Sequence, residues 1–371
     1  MVQFCKSCLM PNTRPRVEFD DEGVCNACHN AARKPTIDWD QRRKEFLETI
    51  EEKKAQGGHP DYDCIVPWSG GKDSSYIAHR LKFEFGLNPL LVTFSPLIPN
   101  AIAVHNREEM LKLGFDHLMV RPNQLVSRRI SQRFFLERGN PKIHWDAGVN
   151  SLPVRVAVNY KIPLIFYAEH GESEYGGRVL SEESLRIRDF TEVIENQIGD
   201  DPLNWMDDVI DERDLNPYIY PDLNEVEEVG VQAMYFSYFF RWSMLENYEY
   251  LKDKIDFRLA ENGRTQGTFT NFDSLDDKID NLYYYMQYVK FGFGRATRDA
   301  CRMINNNQMD RATALQHVRD FDHEFPSQDH AAHLDYLGMD EAEFLETIDK
   351  HRNAEIWTHE GNQWNLNYTP E

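Results

Sequence analysis

The chain has 371 residues, 41% of them hydrophobic and 12% aromatic, enough apolar material for a sizeable core and two or three substructures. Its formal charge of −21 disfavours a nucleic-acid partner, since such binding draws its affinity from neutralised phosphates. No apolar run approaches a membrane span and the N-terminus lacks a signal-peptide core, so a cytoplasmic protein with no membrane partner is expected.

The first 30 residues contain Cys5-x-x-Cys8 and Cys25-x-x-Cys28, with 16 residues between the pairs. That spacing fits a tetrahedral thiolate zinc site of the structural kind, because four cysteines leave no open position for chemistry. Pro11, Pro15 and the turn at Asp20-Asp21-Glu22-Gly23 suit a small ribbon whose missing folding free energy metal binding would supply. Two disulfides or an iron–sulfur cluster are competing explanations, and His29 is a possible substitute ligand.

Residues 37–54 read as an amphipathic helix ended by Gly57-Gly58. An apolar run, Cys64-Ile65-Val66, then stops at Pro67. The loop Ser69-Gly70-Gly71-Lys72-Asp73-Ser74-Ser75 follows and leads into a helix through about Phe85. Two adjacent glycines let backbone N–H groups approach an anion, and the helix N-terminus adds partial positive charge. Lys72 and the serine hydroxyls would complete a phosphate cradle. It is not a Walker A loop, in which four residues separate the glycines and a hydroxyl follows the lysine.

Further strands are expected at 89–94, 117–120 and 162–167, with helices at 101–113, 124–137 and 151–160. This alternation predicts a parallel sheet with helices on both faces. Ligands then bind off the carboxyl ends of the strands. That rule brings together the loop, Thr93-Phe94-Ser95 and the segment after Tyr167, in which Glu169, His170, Glu172, Glu174 and Tyr175 precede the flexible glycines Gly176 and Gly177, with Arg178 next. Carboxylates facing a triphosphate need Mg²⁺ between them or bind sugar hydroxyls instead.

From Ser181 to Glu228 there are 16 acidic and 3 basic residues, a solvated face or a docking surface. The aromatic run at 232–242 reads as a further strand and 243–254 as a helix. The tail is helical, at 275–289, 295–305, 311–321 and 340–352. The division expected is a ribbon over 1–36, an α/β domain over 37–260 and a helical region over 261–371.

The 69–75 loop resembles that of PP-loop ATP pyrophosphatases. Together with the cysteine ribbon, Ile162-Pro163-Leu164-Ile165, Glu174-Tyr175-Gly176-Gly177, Ser274-Leu275-Asp276-Asp277-Lys278-Ile279-Asp280 and Lys290-Phe291-Gly292-Phe293-Gly294-Arg295-Ala296-Thr297, it resembles the N-acetyl sugar amidotransferase family of surface-polysaccharide and nonulosonic-acid pathways. The resemblance implies an α/β, parallel-sheet PP-loop core (HUP-like, adenine nucleotide alpha hydrolase-like) with an N-terminal zinc ribbon and a helical C-terminal region. It also implies that ATP adenylates an acetamido oxygen of an activated sugar and that ammonia then displaces AMP. Ser69 to Ser75, with Thr93 and Phe94, would bind ATP. Lys72, Asp73, Glu172 and Glu174 would be catalytic, with Mg²⁺. Glu169, His170, Tyr175, Lys290 and Arg295 would meet the substrate, and Cys5, Cys8, Cys25 and Cys28 would hold Zn²⁺. Glutaminase and cyclase-like subunits would supply the ammonia. The family often has Gly-Glu-Asn where this chain has Ala168-Glu169-His170. The competing reading, a tRNA-thiolation enzyme, needs reactive cysteines, and only Cys64 and Cys301 remain for that role.

Overall fold

The computed structural model describes residues 2–55, 61–177, 179, 181–361 and 363–371. Gly57-Gly58, expected to end the first long helix, and Arg178 lie outside these. The N-terminal ribbon leads into helix α1 (Asn26–Arg33), and α2 (Trp39–Ala55) follows. Then come β1 (Cys64–Pro67), α3 (Lys72–Phe83), β2 (Pro89–Phe94), α4 (Ala101–Leu111), β3 (Asp116–Val120), α5 (Gln124–Arg138) and α6 (Ile143–Tyr160). The series continues with β4 (Leu164–Tyr167), α7 (Gly171–Tyr175), β5 (Gln232–Tyr235) and α8 (Met244–Leu251). The tail adds α9 (Ile279–Phe291), α10 (Arg295–Asn305), α11 (Arg311–Phe321), α12 (His330–Leu337), α13 (Glu341–Lys350) and a hairpin of β6 (Trp357–Glu360) and β7 (Gln363–Leu366).

The five-stranded sheet has the order β3-β2-β1-β4-β5 and every pairing in it is parallel. Alternation along β1 divides the core. Cys64 and Val66 pack with Phe46 and Ile50 of α2 and Ile77 and Leu81 of α3. Ile65 faces the other way, toward Ile130 and Phe134 of α5 and Val154 and Ala157 of α6. Both faces of the sheet are therefore covered, as a parallel sheet requires. The order runs outward from β1 in both directions, so the crevice beyond the carboxyl end of β1 lies at the switch point where such sheets bind ligands.

A third cluster joins the ribbon to the tail. The four ribbon cysteines, Leu9 and Met10 pack with Phe293, Ala300 and Cys301 and with Ala314 and Val318 of α11. The ribbon thus completes its small core on α10 and α11.

The structure corrects several expected elements. The strand at 232–242 stops at Tyr235 and becomes a helical turn, Phe236–Phe239. Phe236, Phe239 and Phe240 all meet the Phe46 ring, with centroids at 5.8, 5.4 and 5.2 Å; a helical turn gathers i, i+3 and i+4 on one side, whereas a strand would split them between faces. Helix α6 begins at Ile143, eight residues ahead of the expected Ser151, because its first turns are buried against Phe94 and β2 despite Gly148 and Pro153. Helix α9 starts at Ile279, later than Leu275. The Asp277 carboxylate accepts from the Leu97 and Ile98 amides at 2.7 and 2.9 Å, which holds 274–278 as a loop. Helix α12 and the terminal hairpin were not foreseen.

Candidate functional site

The 69–75 loop forms as the sequence implies. Gly70 takes φ +88° and a Cβ there would sit 2.3 Å from Arg107 Cγ, so this position needs glycine on two grounds. Arg107 of α4, which the sequence does not single out, donates to the Ser69 carbonyl at 3.1 Å and covers the loop. Gly71 caps α3, whose first residue is Lys72. The Gly71 amide donates to Ser69 Oγ at 3.2 Å, and the Ser69 amide to Ser74 Oγ at 3.4 Å.

The loop opens into a cavity of about 440 Å³ at the carboxyl ends of β1, β2 and β4, within the range of small-molecule sites. The loop contributes Ser69, Gly71, Lys72, Asp73 and Ser74; Val92 and Phe94 come from β2, and Trp145, Val149, Asn150 and Pro153 from α6. Tyr167, Ala168 and Arg188 form another wall, and Phe272 to Asp276 close over the loop. Ser274, in that closing segment, has φ +46°, a conformation costly for a residue with a Cβ and concentrated at functional sites.

Lys72 is almost fully buried. Its ammonium pairs with Asp73 at 2.8 Å and with Asp273. Burial alone would push its pKa down, but these two carboxylates hold it above the ordinary value, so it remains charged. Asp273 is the converse case. Burial would raise its carboxyl, while Lys72, Arg302, Arg298 and Arg295 hold it far below the usual range. Asp73 is fixed by Asn247 of α8, whose amide donates to Oδ1 at 2.8 Å. Asp276 is pushed upward by burial and by Asp280.

Arginines 295, 298 and 302 occupy positions i, i+3 and i+7 of α10 and form one face, directed at the Lys72 region. Arg295 donates to the Asp273 carbonyl, and Arg302 lies 3.9 Å from both Asp273 and Glu169. These guanidiniums stand behind Asp273 and offset its charge, while the cavity lining itself holds Lys72 and Arg188 with Asp73, Asp273 and Asp276.

The structure does not bring all the expected residues to this cavity. Phe94 lines it, but Thr93 Oγ1 is turned inward to the Trp68 carbonyl and to His117 Nε2. Ser75 lies beneath the loop and accepts from Trp68 Nε1 at 2.9 Å. Glu169 accepts from the Tyr175 hydroxyl at 2.5 Å, next to the α10 arginines. Glu172 pairs with Arg16 and Glu174 with Lys34, both at 2.9 Å and both toward the ribbon. His170 caps α7, its Nδ1 accepting from the Ser173 amide at 3.1 Å. Burial, then Arg188, pushes its pKa down to about 4, and it faces a smaller cavity with Ser173 and Ser237. Lys290 lies elsewhere, its ammonium bonded to the Arg138 carbonyl at 2.8 Å. Cys64 is in the core of β1, and Cys301 accepts from the Leu9 amide at 3.4 Å beside the ribbon.

Asp273, Asn247 and Arg188 were missed, and no local signal marks them. The spacing of Arg298 and Arg302 behind Arg295 was visible in the sequence as a helical charged face.

The four ribbon sulfurs are buried, lie within 4.8 Å of one another and belong to free cysteines. Cys5–Cys28, Cys8–Cys25 and Cys25–Cys28 stand at 3.8, 3.7 and 3.5 Å. Tetrahedral Zn–S bonds of about 2.3 Å require sulfur–sulfur spacings of about 3.8 Å, so the set fits zinc and is far too open for disulfides. His29 pairs with Asp20 at 2.8 Å and is not a ligand. Among the described residues no other group of three or more converges in this way. Asp73, Asp273 and Asp276 line the cavity without doing so, the first two paired with Lys72.

Fold and site together define an α/β protein: a parallel sheet, a glycine-containing loop and cavity at its switch point, a Cys₄ ribbon and a helical tail. Residues 266–369 match the family described as LPS biosynthesis protein WbpG-like, C-terminal domain. That match covers the helical tail and agrees with the resemblance carried there by the motifs at 274–280 and 290–297. The uncharacterized protein MJ1599 of Methanocaldococcus jannaschii is 33% identical over 122 residues, which are 30% of this chain and 43% of that protein. The chain thus spans less than half of that relative. A solved structure described as a predicted subunit of tRNA methyltransferase from the same organism aligns with 49% of this chain and 94% of its own, at 18% identity and a TM-score of 0.24, a likeness too slight to carry an argument. No helix among the described residues is long and apolar enough to cross a membrane.

Proposed function

We propose that the chain is an ATP-dependent, AMP-forming amidotransferase that converts an acetamido group of an activated sugar into an acetamidino group. The observation that carries this reading is the buried, charged Lys72 at the head of α3, beside the Gly70-Gly71 turn in a 440 Å³ cavity. The match to an LPS-biosynthesis domain supports a sugar as the acceptor.

An amide carbon is a weak electrophile and its oxygen a poor leaving group. Attack of that oxygen on the α-phosphorus of ATP forms the new P–O bond as the α–β bridge breaks and pyrophosphate departs. Ammonia then adds to the imidate carbon, and AMP leaves with the former amide oxygen. The loop amides and Lys72 would bear the charge that grows on the phosphates, with the α10 arginines adding to the field. When bound, Mg²⁺ would supply further charge neutralisation, with the lining carboxylates Asp73 and Asp276 the residues that would hold it. Ammonia reacts only unprotonated, which favours delivery by a glutaminase partner.

Diacetamido sugars incubated with ATP, Mg²⁺ and an ammonium salt should lose about one mass unit as O is replaced by NH. Pyrophosphate should be released in step. The Lys72→Ala variant should form AMP at least about 100-fold more slowly, the loss typical of one transition-state donor, with zinc content unchanged. AMP accumulating with bulk tRNA while no sugar changes mass would defeat the reading.

A further inference from the structure

Lys72 does not face the cavity alone. Its ammonium is shared by Asp73 at 2.8 Å and by Asp273. The cavity wall as a whole sets two cations, Lys72 and Arg188, against three acids, Asp73, Asp273 and Asp276. A triphosphate brings further negative charge to the same ammonium, and anions that share one cation at contact distance repel each other strongly where the effective dielectric is low. Divalent cations offset part of that repulsion; a carboxylate able to leave Lys72 would offset more.

The two carboxylates on Lys72 are not held alike. Asp73 is bound a second time, by the Asn247 amide, which donates to its Oδ1 at 2.8 Å. Among the described residues the Asp273 carboxylate takes one hydrogen bond, from Lys72 to Oδ1. Its Oδ2 faces Arg302 Nη1 at 3.9 Å, beyond hydrogen-bond length. The backbone of Asp273, by contrast, is pinned. Its carbonyl accepts from Arg295 and from Thr265 Oγ1. On one side Phe272 stacks on Tyr248, with ring centroids 5.3 Å apart. On the other, Ser274 keeps a φ of +46°, a conformation that persists only where the surroundings over-determine it. With the backbone fixed and the side chain held once, a change of rotamer can carry the carboxylate from one cation to the other without moving the segment. Against burial, Lys72 and the three arginines of α10 hold Asp273 ionised, so what passes between them is a charge.

We propose that Asp273 competes with nucleotide phosphate for the Lys72 ammonium, and that Arg302 receives its carboxylate when phosphate takes that place. The proposal rests on the reading of the 69–75 loop as the site of the ATP phosphates. Asp273 thereby sets a threshold: an anion too weakly charged to displace a carboxylate gains no contact with Lys72. Its return to Lys72 favours departure of the pyrophosphate.

The test is a double-substitution cycle, read by calorimetric titration of α,β-methylene-ATP with Mg²⁺ into the full chain. Asp273→Asn, of nearly the same shape without the charge, should bind the analogue roughly tenfold or more tighter than the parent. Arg302→Met, which keeps an apolar stem beside the Tyr175 ring, should bind it roughly tenfold or more weaker, because the carboxylate has lost its second partner. In the doubly substituted chain the loss caused by Arg302→Met should shrink to about threefold or less, since no carboxylate remains to be received. Zinc content and melting temperature report that each variant is folded, and Asp273→Ala with Arg302→Gln gives a second cycle if either first variant does not fold. Unchanged or weaker binding by the folded Asp273 variant, or an equal Arg302 loss in both backgrounds, overturns the proposal alone. A parent chain that does not bind the analogue removes the nucleotide reading and the proposal with it.

Discussion

Single side chains decide the shape of the 69–75 loop. Gly70→Ala would meet both a φ of +88° and the Arg107 side chain. The backbone penalty alone is about 1–2 kcal/mol, so melting temperature and ATP affinity should both fall. Adding Arg107→Ala should recover part of the stability, since it removes the clash and leaves the backbone strain; no recovery would mean Arg107 is not what the new Cβ meets. Lys72→Met leaves Asp73 and Asp273 facing each other without their shared cation. Removing one member of a buried ion pair costs about 3–5 kcal/mol, and Asp273→Asn in the same chain should restore most of that in urea titrations while activity stays absent. His144 is fully buried, and burial, then Lys142, pushes its pKa down to about 3. A lowered histidine pKa favours the neutral form in the fold, so its contribution is complete above the unfolded value of about 6.5 and is lost as pH falls toward 3. The stability gap between the parent chain and His144→Asn should therefore narrow between pH 6.5 and pH 4. A gap that widens on acidification would contradict the assignment.

At the scale of elements, α10 is the piece that joins the ribbon to the region around Lys72 and Asp273. One face carries the arginines aimed at Asp273, and another carries Cys301 and Asn305, which accept from the Leu9 amide and the Cys28 thiol. The ribbon also seats the segment after β4, since Arg14 donates to the Gly176 carbonyl and Asn26 to that of Gly177 at 2.9 Å. Zinc removal should therefore do more than unravel the ribbon. Chelation, or Cys25→Ser, should lower the melting temperature and weaken binding of α,β-methylene-ATP, because α10 loses its packing partner. Unchanged nucleotide affinity in zinc-free protein would show that α10 stands without the ribbon. The sequence indicated α10 to the residue, Arg295 to Asn305. What it could not indicate is which of its faces meets which partner.

For the whole molecule, the charge of −21 sets the long-range behaviour. A titration with bulk tRNA at about 0.15 M salt, where the Debye length is about 8 Å, should show no binding; a shift under those conditions would revive the tRNA reading. The sequence by itself determined the local and periodic features: the strand-loop-helix of the cradle, the alternating β and α segments, and the ribbon's cysteine spacing. These are set within a few residues of one another by backbone preference, burial period and ligand chemistry. Only the tertiary structure decided what crosses long distances. It drew Asp273 to Lys72 across 201 positions, turned Arg188 out of an acidic segment into the cavity, and faced Glu172 and Glu174 toward the ribbon. It also left Lys290 on another part of the molecule. Such pairings depend on how separately formed layers dock, because a buried charge is stable only beside its partner, and no local pattern records that partner.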